Sequence, residues 1–260
     1  MSEQSDVQSD ARSTLSIVVP CYNEADSIPL LHSELTKIWP EFTKLYETEL
    51  ILVDDGSSDN TAELLKAAFA EYTNFQVVRH EVNQNLGAAL RTGFAASKSD
   101  FVVPLDADCT TPMVVIPRML ARLENGADLV TASPYHPEGA LKGVPVIRQI
   151  PSKGLVMILK LLLGSKNYTY TVMVRAYRRE VVDEVPIRYN NFVAMTQIFC
   201  EAILKGFRVE DEPAILSTRE FGASKMQTGR TIVVQLRFLS TILWPVFRKR
   251  ILRRPNQISR

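Results

Sequence analysis

The chain has 260 residues, 46% of them hydrophobic and 23% charged, which is enough apolar sequence to bury the core of one α/β domain with a tail. A formal net charge of +1 gives no electrostatic reason to expect a nucleic-acid partner. The three cysteines, Cys21, Cys109 and Cys200, form no CxxC pair and no even framework, which argues against a zinc ribbon or a disulfide scaffold and fits a reducing, cytoplasmic setting.

In chain order, residues 1–14 are polar with no apolar stretch, so they are expected to be a disordered segment, neither signal peptide nor anchor. Strands are expected at 15–20, 50–54, 75–78, 101–105 and 128–131, alternating with helices at 27–38, 60–72, 86–97 and 113–124. That alternation predicts an α/β fold with a mostly parallel central sheet flanked by helices. Residues 134–151 are rich in Pro and Gly and read as a long loop acting as a lid. A helix at 152–163, a strand at 171–177, a helix at 192–205 and a strand at 208–215 follow. Ile232, Leu236, Leu239, Leu243 and Val246 then recur at helical spacing within 231–247, interrupted by Arg237 and Pro245. This stretch is shorter than the ~20 apolar residues of a spanning helix. It is expected to lie on a membrane surface, or else to pack on the domain or another subunit. Six Lys or Arg between 248 and 260 form a basic tail, worth about 1 kcal/mol per charge near an anionic leaflet. The expected division is a segment 1–14, a catalytic domain 15–227, and an amphipathic helix with tail 228–260.

Chemistry is sought just after the strands, because ligands of such sheets sit beyond their carboxyl ends. Three strands end in polar clusters: Pro20-Cys21-Tyr22-Asn23-Glu24, Val53-Asp54-Asp55-Gly56-Ser57 and Asp106-Ala107-Asp108. An Asp-x-Asp alone is common on solvated loops. Here it follows an apolar strand directly, and Ala107 leaves room for a ligand. Magnesium or manganese is held by one or two carboxylates plus substrate phosphates, which suits Asp106 and Asp108. Asp55 stands where an acid can reach a ribose or base; as part of a turn rich in capping residues it can equally be a helix cap, and Asp59 is expected to cap.

These runs, with Asn85-Leu86-Gly87, together resemble family 2 glycosyltransferases with the GT-A nucleotide-diphospho-sugar transferase fold, over roughly residues 15–225. Within the family, Arg148 with Ser152, the run Arg175 to Val181, and the run Arg219 to Met226 look closest to polyprenyl-phosphate glycosyltransferases of the dolichol-phosphate mannosyltransferase kind. The resemblance implies that Pro20, Tyr22, Glu24, Val53 and Asp55 hold the nucleotide sugar. It implies that Asp106, Ala107 and Asp108 serve the diphosphate, with Asp106 and Asp108 binding Mg2+ or Mn2+. Arg148, Arg219 and Lys225 would meet the acceptor phosphate, with Asp108, Arg219 and Lys225 at the catalytic centre. An Arg fork and a mobile Lys beside Gly222 suit a phosphate clamp that closes on binding.

Inverting transfer to a hydroxyl needs a carboxylate base. In many hydroxyl-directed relatives an acid begins the helix after the acceptor region, but here that region reads Asn191-Phe192-Val193-Ala194-Met195-Thr196. A phosphate acceptor with a second pKa near ~6 arrives ionised and needs no base. The expected reaction is therefore inverting transfer of mannose or glucose to a polyprenyl phosphate, by a peripheral protein on the cytoplasmic face of a membrane. Glu201 or Glu138 could still act as a base toward a soluble hydroxyl acceptor, and a non-catalytic nucleotide-sugar-binding protein is the remaining alternative. Thr110, Pro134 and Met173 depart from the mannosyl pattern, around the sugar and acceptor pockets. A dehydrogenase is disfavoured because no GxGxxG follows the first strand.

Overall fold

The computed structural model describes residues 12–218, 234, 235 and 237–241. Strand β1 (Thr14–Cys21) sends Leu15, Ile17, Val19 and Cys21 into one core and Val18 into another, the two-residue alternation of a strand buried on both faces. Helix α1 (Ile28–Leu45), β2 (Glu47–Asp54), α2 (Thr61–Ala68), β3 (Phe75–Arg79), α3 (Leu86–Ala96) and β4 (Phe101–Pro104) follow. A 3-10 turn at Met113–Val115 leads into α4 (Ile116–Glu124) and β5 (Leu129–Ser133). Then come β6 (Ala140–Lys142), α5 (Val146–Leu163), β7 (Arg175–Arg178), α6 (Arg179–Glu184), α7 (Val193–Lys205), β8 (Val209–Pro213) and β9 (Ile215–Ser217).

Seven strands form one sheet in the order β3-β2-β1-β4-β7-β5-β8, and β6 pairs with β9 in a separate parallel ribbon. Strand β1 is parallel to β2 and β4, β2 to β3, and β5 to β8, while β7 runs antiparallel between β4 and β5. This is the mostly parallel α/β sheet expected from the strand and helix alternation. One core lies under α1, α2 and α4, the other under α3 and α7. Each fully buried Leu, Ile or Val in them contributes about 1.5–3 kcal/mol. Helix α3 reaches the sheet closely because Gly93 has no side chain: a Cβ there would stand 2.3 Å from Val18 Cγ1.

Several boundaries differ from expectation. The lid loop is shorter, because β6 interrupts it and α5 begins at Val146 rather than 152. Pro151 lies inside α5, where it forgoes the backbone bond to residue 147. The strand expected at 171–177 is confined to Arg175–Arg178, since its partner β4 ends at Pro104. Helix α6 and strand β6 were not foreseen. At the N-terminal end, Arg12 and Thr14 lie within the segment expected to be disordered. Both are anchored: Arg12 Nη1 donates to Thr43 O at 2.9 Å, and Thr14 N donates to Asp100 Oδ2 at 2.8 Å.

At the other end, residues 234, 235 and 237–241 are helical. Leu239, assigned above to a membrane-facing stripe, is buried with Phe238 in the second core, and Gln235 Nε2 donates to Thr196 Oγ1 at 3.0 Å. Helical periodicity does not distinguish a helix seated on its own domain from one seated on lipid. Ile232, Leu236, Leu243, Val246 and the basic tail lie outside the described residues.

Candidate active site

The chain lays down β1, β2 and β3 toward one edge and then crosses back to place β4 on the other side of β1. Such a reversal opens a crevice at the carboxyl ends of the flanking strands. Pro20 is paired with Val53, Cys21 with Asp54, and Val18 with Pro104, so the loops after β1, β2 and β4 emerge side by side.

The first two of these loops are stitched together. Asn23 adopts φ +50, a left-handed conformation that Asn accepts more readily than most residues. It donates its N–H to Ser57 Oγ at 2.9 Å and accepts the Ser58 N–H on Oδ1 at 2.8 Å. Glu24 is buried; its N–H donates to Thr61 Oγ1 at 2.9 Å and its Oε2 accepts from Ser27 Oγ at 2.8 Å. Tyr22 is half-buried and Pro20 buried at the strand end. The Val53 side chain is fully enclosed in the core beside Ala89 and Leu90, which leaves its backbone as the part able to meet a nucleotide.

The adjacent acids Asp54 and Asp55 have separate tasks. Asp54 pairs with Arg79 at 3.0 Å and accepts the Ser57 N–H at 3.1 Å, holding the turn. Asp55 accepts on Oδ1 from His80 Nδ1 at 2.7 Å and from the Gln84 N–H at 2.9 Å. It is therefore not the cap of α2. Nor is Asp59 the cap expected of it: Asn60 occupies the N-cap position, and Asp59, one residue earlier, accepts the Thr61 N–H on Oδ1 at 3.0 Å.

On the other flank of β1, Leu105 N donates to Val18 O at 2.9 Å, and the chain then turns through Asp106-Ala107-Asp108. Asp106 is half-buried, while Ala107 and Asp108 are buried. Cys109 has φ +52, and Thr110 N donates to Asp108 Oδ1 at 3.1 Å. Among the described residues no group of three or more His, Cys, Asp or Glu could hold a metal. Asp106 and Asp108 would offer two hard carboxylates, a donor chemistry that suits Mg2+ or Mn2+ when diphosphate and water complete the shell.

The segment that follows β9 is assembled differently. Ser217 N in β9 donates to Thr110 O at 2.9 Å, and Thr218 N donates to Lys142 O at 3.2 Å. Of the two residues preceding Arg219, Ser217 is thereby tied to the segment just after Asp108, and Thr218 to β6. Arg219 and Lys225 themselves lie outside the described residues, as does the side chain of Arg148, whose backbone is in the first turn of α5. A groove of about 380 Å³ runs between the 134–141 segment and α5, lined by Tyr135, Leu141, Lys153, Val156, Lys160 and Tyr168 among others. Lys160 Nζ lies 4.3 Å from the centroid of the Tyr168 ring and Lys153 Nζ 5.7 Å from that of Tyr135. Sequence reasoning missed both lysines, although their seven-residue spacing puts them on one helix face.

The first turn of α7 contains no acid. Glu201 is engaged by Arg188 Nη1 at 2.7 Å, and Glu138 sits exposed on the loop. A further carboxylate missed from sequence, Asp211 on β8, accepts from Asn167 Nδ2 at 2.7 Å and from Tyr168 N at 3.1 Å. Burial pushes its pKa above the ordinary 3.8, opposed by those hydrogen bonds. It fastens the segment that carries Tyr168 to the sheet.

The sequence model of glycosyl transferase family 2 matches residues 16–186. Undecaprenyl-phosphate 4-deoxy-4-formamido-L-arabinose transferase of Yersinia enterocolitica is 34% identical over 201 residues, covering 73% of this chain and 59% of that protein. The transferase of the same name from Salmonella choleraesuis is 31% identical over 220 residues, covering 84% of this chain and 64% of its own length. The chain thus spans about three fifths of the length of these relatives. Among solved structures, glucosyl-3-phosphoglycerate synthase from Mycobacterium tuberculosis with phosphoglyceric acid superposes with TM-score 0.67 at 20% identity, covering 89% of this chain and 79% of that one. The same synthase with Mn2+, uridine diphosphate and glucosyl-3-phosphoglycerate gives TM-score 0.64 at 20% identity, covering 86% and 78%. At this identity the likeness establishes the GT-A fold.

Proposed function

The chain belongs to glycosyl transferase family 2, and from that membership we propose that it is an inverting glycosyltransferase moving a sugar from a nucleotide sugar to a polyprenyl phosphate at a membrane surface. The observation that carries the reading is the opening of three loops at one crevice, with Asp55 on one side of β1 and Asp106 and Asp108 on the other. Asp106 and Asp108 hold the Mg2+ or Mn2+, which when bound neutralises charge on the departing nucleoside diphosphate. The turn built by Asn23, Glu24, Ser57 and Thr61 orients the nucleotide, with Pro20, Tyr22, the Val53 backbone and Asp55 facing it. The Mn2+ held with uridine diphosphate in the mycobacterial synthase supports a divalent ion.

An acceptor phosphate suits the other side of the crevice. Lys153 and Lys160 put two cations in one groove beside α5, with Arg148 five residues before Lys153, and Arg219 and Lys225 following β9, which pairs with β6 at the groove's wall. With no acid in the first turn of α7 and Glu201 held by Arg188, an acceptor that arrives already ionised fits better than a hydroxyl. Aligning two charged partners supplies the orientation term.

Membrane contact is assigned to α5 before the C-terminal helix. Ile150, Met157, Ile158 and Leu161 form an exposed apolar stripe along α5, with Met157 70% and Leu161 75% exposed. Among the described residues no helix is long and apolar enough to cross a membrane, so contact through these residues is interfacial. The cytoplasmic face is proposed with it, the basic tail adding attraction to anionic lipid. Mannose or glucose is the proposed sugar, and the names of the relatives add 4-deoxy-4-formamido-L-arabinose to the sugars to be tried.

The test is transfer of label from a panel of nucleotide sugars to polyprenyl phosphate in detergent with Mg2+ or Mn2+, comparing wild type with Asp108→Ala. Lipid-soluble label that the variant fails to make is the expected result. Donor binding with no lipid product from any sugar would move the search to soluble acceptors or to a binding protein.

A further inference from the structure

The environment of Asp55 bears on which nucleobase the donor carries, an inference that rests on the nucleotide-sugar reading above. Asp55 is buried, and the two hydrogen bonds to its carboxylate among the described residues both fall on Oδ1, one from His80 Nδ1 at 2.7 Å and one from the Gln84 N–H at 2.9 Å. A carboxylate only accepts, so Nδ1 of His80 carries its proton toward Asp55. The imidazole cannot turn away easily. The side chain is only 9% exposed, Nε2 lies 2.9 Å from Thr92 Oγ1 on α3, and the backbone N–H of His80 donates to Asp54 O at 2.9 Å. Oδ1 is therefore committed before any ligand enters, and Oδ2 is the oxygen left for one.

Position decides which part of the donor that oxygen meets. Asp55 follows β2 and the Asp106-Ala107-Asp108 turn follows β4, with β1 between them. The two sets of acids stand two strand spacings apart, about 10 Å. With the diphosphate at Asp106 and Asp108, the far end of the nucleoside falls at Asp55. A pyrimidine such as uracil presents one ring N–H between two carbonyls, whereas guanine presents two adjacent donors, a ring N–H and an amino group, which ask for both oxygens of a carboxylate.

We propose that His80 is a specificity-determining positioning residue: by committing Asp55 Oδ1 it leaves a single acceptor, matched to uracil in preference to guanine. The donor is then a uridine diphosphate sugar. Guanine in the same place would leave one donor unpaired in a buried site, the kind of loss that discriminates strongly between otherwise similar ligands.

The test is the affinity of the full 260-residue chain for UDP and for GDP, each with Mn2+, in wild type, His80→Ala, His80→Asn and Thr92→Val, by calorimetric titration. Wild type binds UDP at least about tenfold tighter than GDP. His80→Ala weakens UDP by about tenfold and GDP little, so the preference collapses. His80→Asn, whose amide nitrogen reaches the place of Nδ1, restores most of it, and Thr92→Val lowers it by about threefold. Equal affinities or a preference for GDP in wild type overturn the proposal, and so does an equal loss for both nucleotides in His80→Ala, the mark of a packing role alone. If His80→Ala does not fold, the wild-type ratio and the other two variants decide. Binding of neither nucleotide would sink the nucleotide-sugar reading itself, an outcome distinct from binding without selectivity.

Discussion

The half of the sheet from β1 to β4 and the half made of β5, β7 and β8 are held together by different contacts. In the first, one helix separates each strand from the next in sequence, and the loops at the carboxyl edge are cross-tied before any ligand arrives: Asn23 to Ser57, Glu24 to Thr61, Asp55 to His80. In the second, β7 is inserted antiparallel and β5 pairs with a strand some 80 residues away, Leu129 with Val209. Its groove is walled by one helix and one loop, with lysines resting over tyrosine rings. Under the proposed function this contrast would suit a small, charged donor bound by preset groups and a long acceptor met partly by protein and partly by the bilayer.

That contrast can be broken at several points. The largest effect is expected in the donor half: Gly93→Ala sets a methyl 2.3 Å from Val18 Cγ1 and lowers stability by about 2–3 kcal/mol in denaturant unfolding. A variant as stable as wild type would mean that α3 is not wedged against β1 as described. Next, the double variant Lys153→Ala, Lys160→Ala raises the KM for polyprenyl phosphate about tenfold, one to two charge-assisted contacts, and leaves nucleotide affinity within about twofold. Equal losses for donor and acceptor would erase the division between halves.

A pH effect sharpens the comparison on the side of β8. Because the folded pKa of Asp211 is raised above the ordinary 3.8, the folded chain holds this proton more tightly than the unfolded one. The resulting stability is full below about 3.8 and is lost as pH rises through the folded pKa. Relative to Asp211→Asn, wild type should therefore lose stability as pH rises through that window, measured by unfolding at a series of pH values. A constant difference contradicts the assignment. The smallest stability change belongs to Leu161→Ser, within about 0.5 kcal/mol because the side chain is exposed, accompanied by weaker sedimentation with anionic vesicles. Unchanged vesicle binding would remove α5 from the membrane contact.

Legibility in the sequence follows the same division. Strands β1, β2 and β4 announce themselves because parallel strands buried on both faces are continuous apolar runs, and their polar ends are adjacent in sequence to those runs. The acids of the crevice were therefore readable, but the split between Asp54 as turn anchor and Asp55 as His80 partner was not, since it depends on β3 and α3 arriving beside them. On the acceptor side, Pro151 looked like the end of a loop when it lies inside α5. Asp211 looked like one acid in a charged strand, because its burial is created by Asn167 and Tyr168 from a distant segment. Leu239 carried a helical stripe whose partner, core or lipid, is decided only by packing.

The central claim of the proposed function is that the acceptor brings its own charge and so needs no base from the first turn of α7. It is tested most directly by offering wild type, with its metal and a labelled nucleotide sugar, either polyprenyl phosphate or the same polyprenol without phosphate, and extracting product into organic solvent. The account predicts label in the lipid phase with the phosphate and none above background with the alcohol. Comparable transfer to the unphosphorylated polyprenol would contradict it, and would require a carboxylate base that the first turn of α7 does not provide.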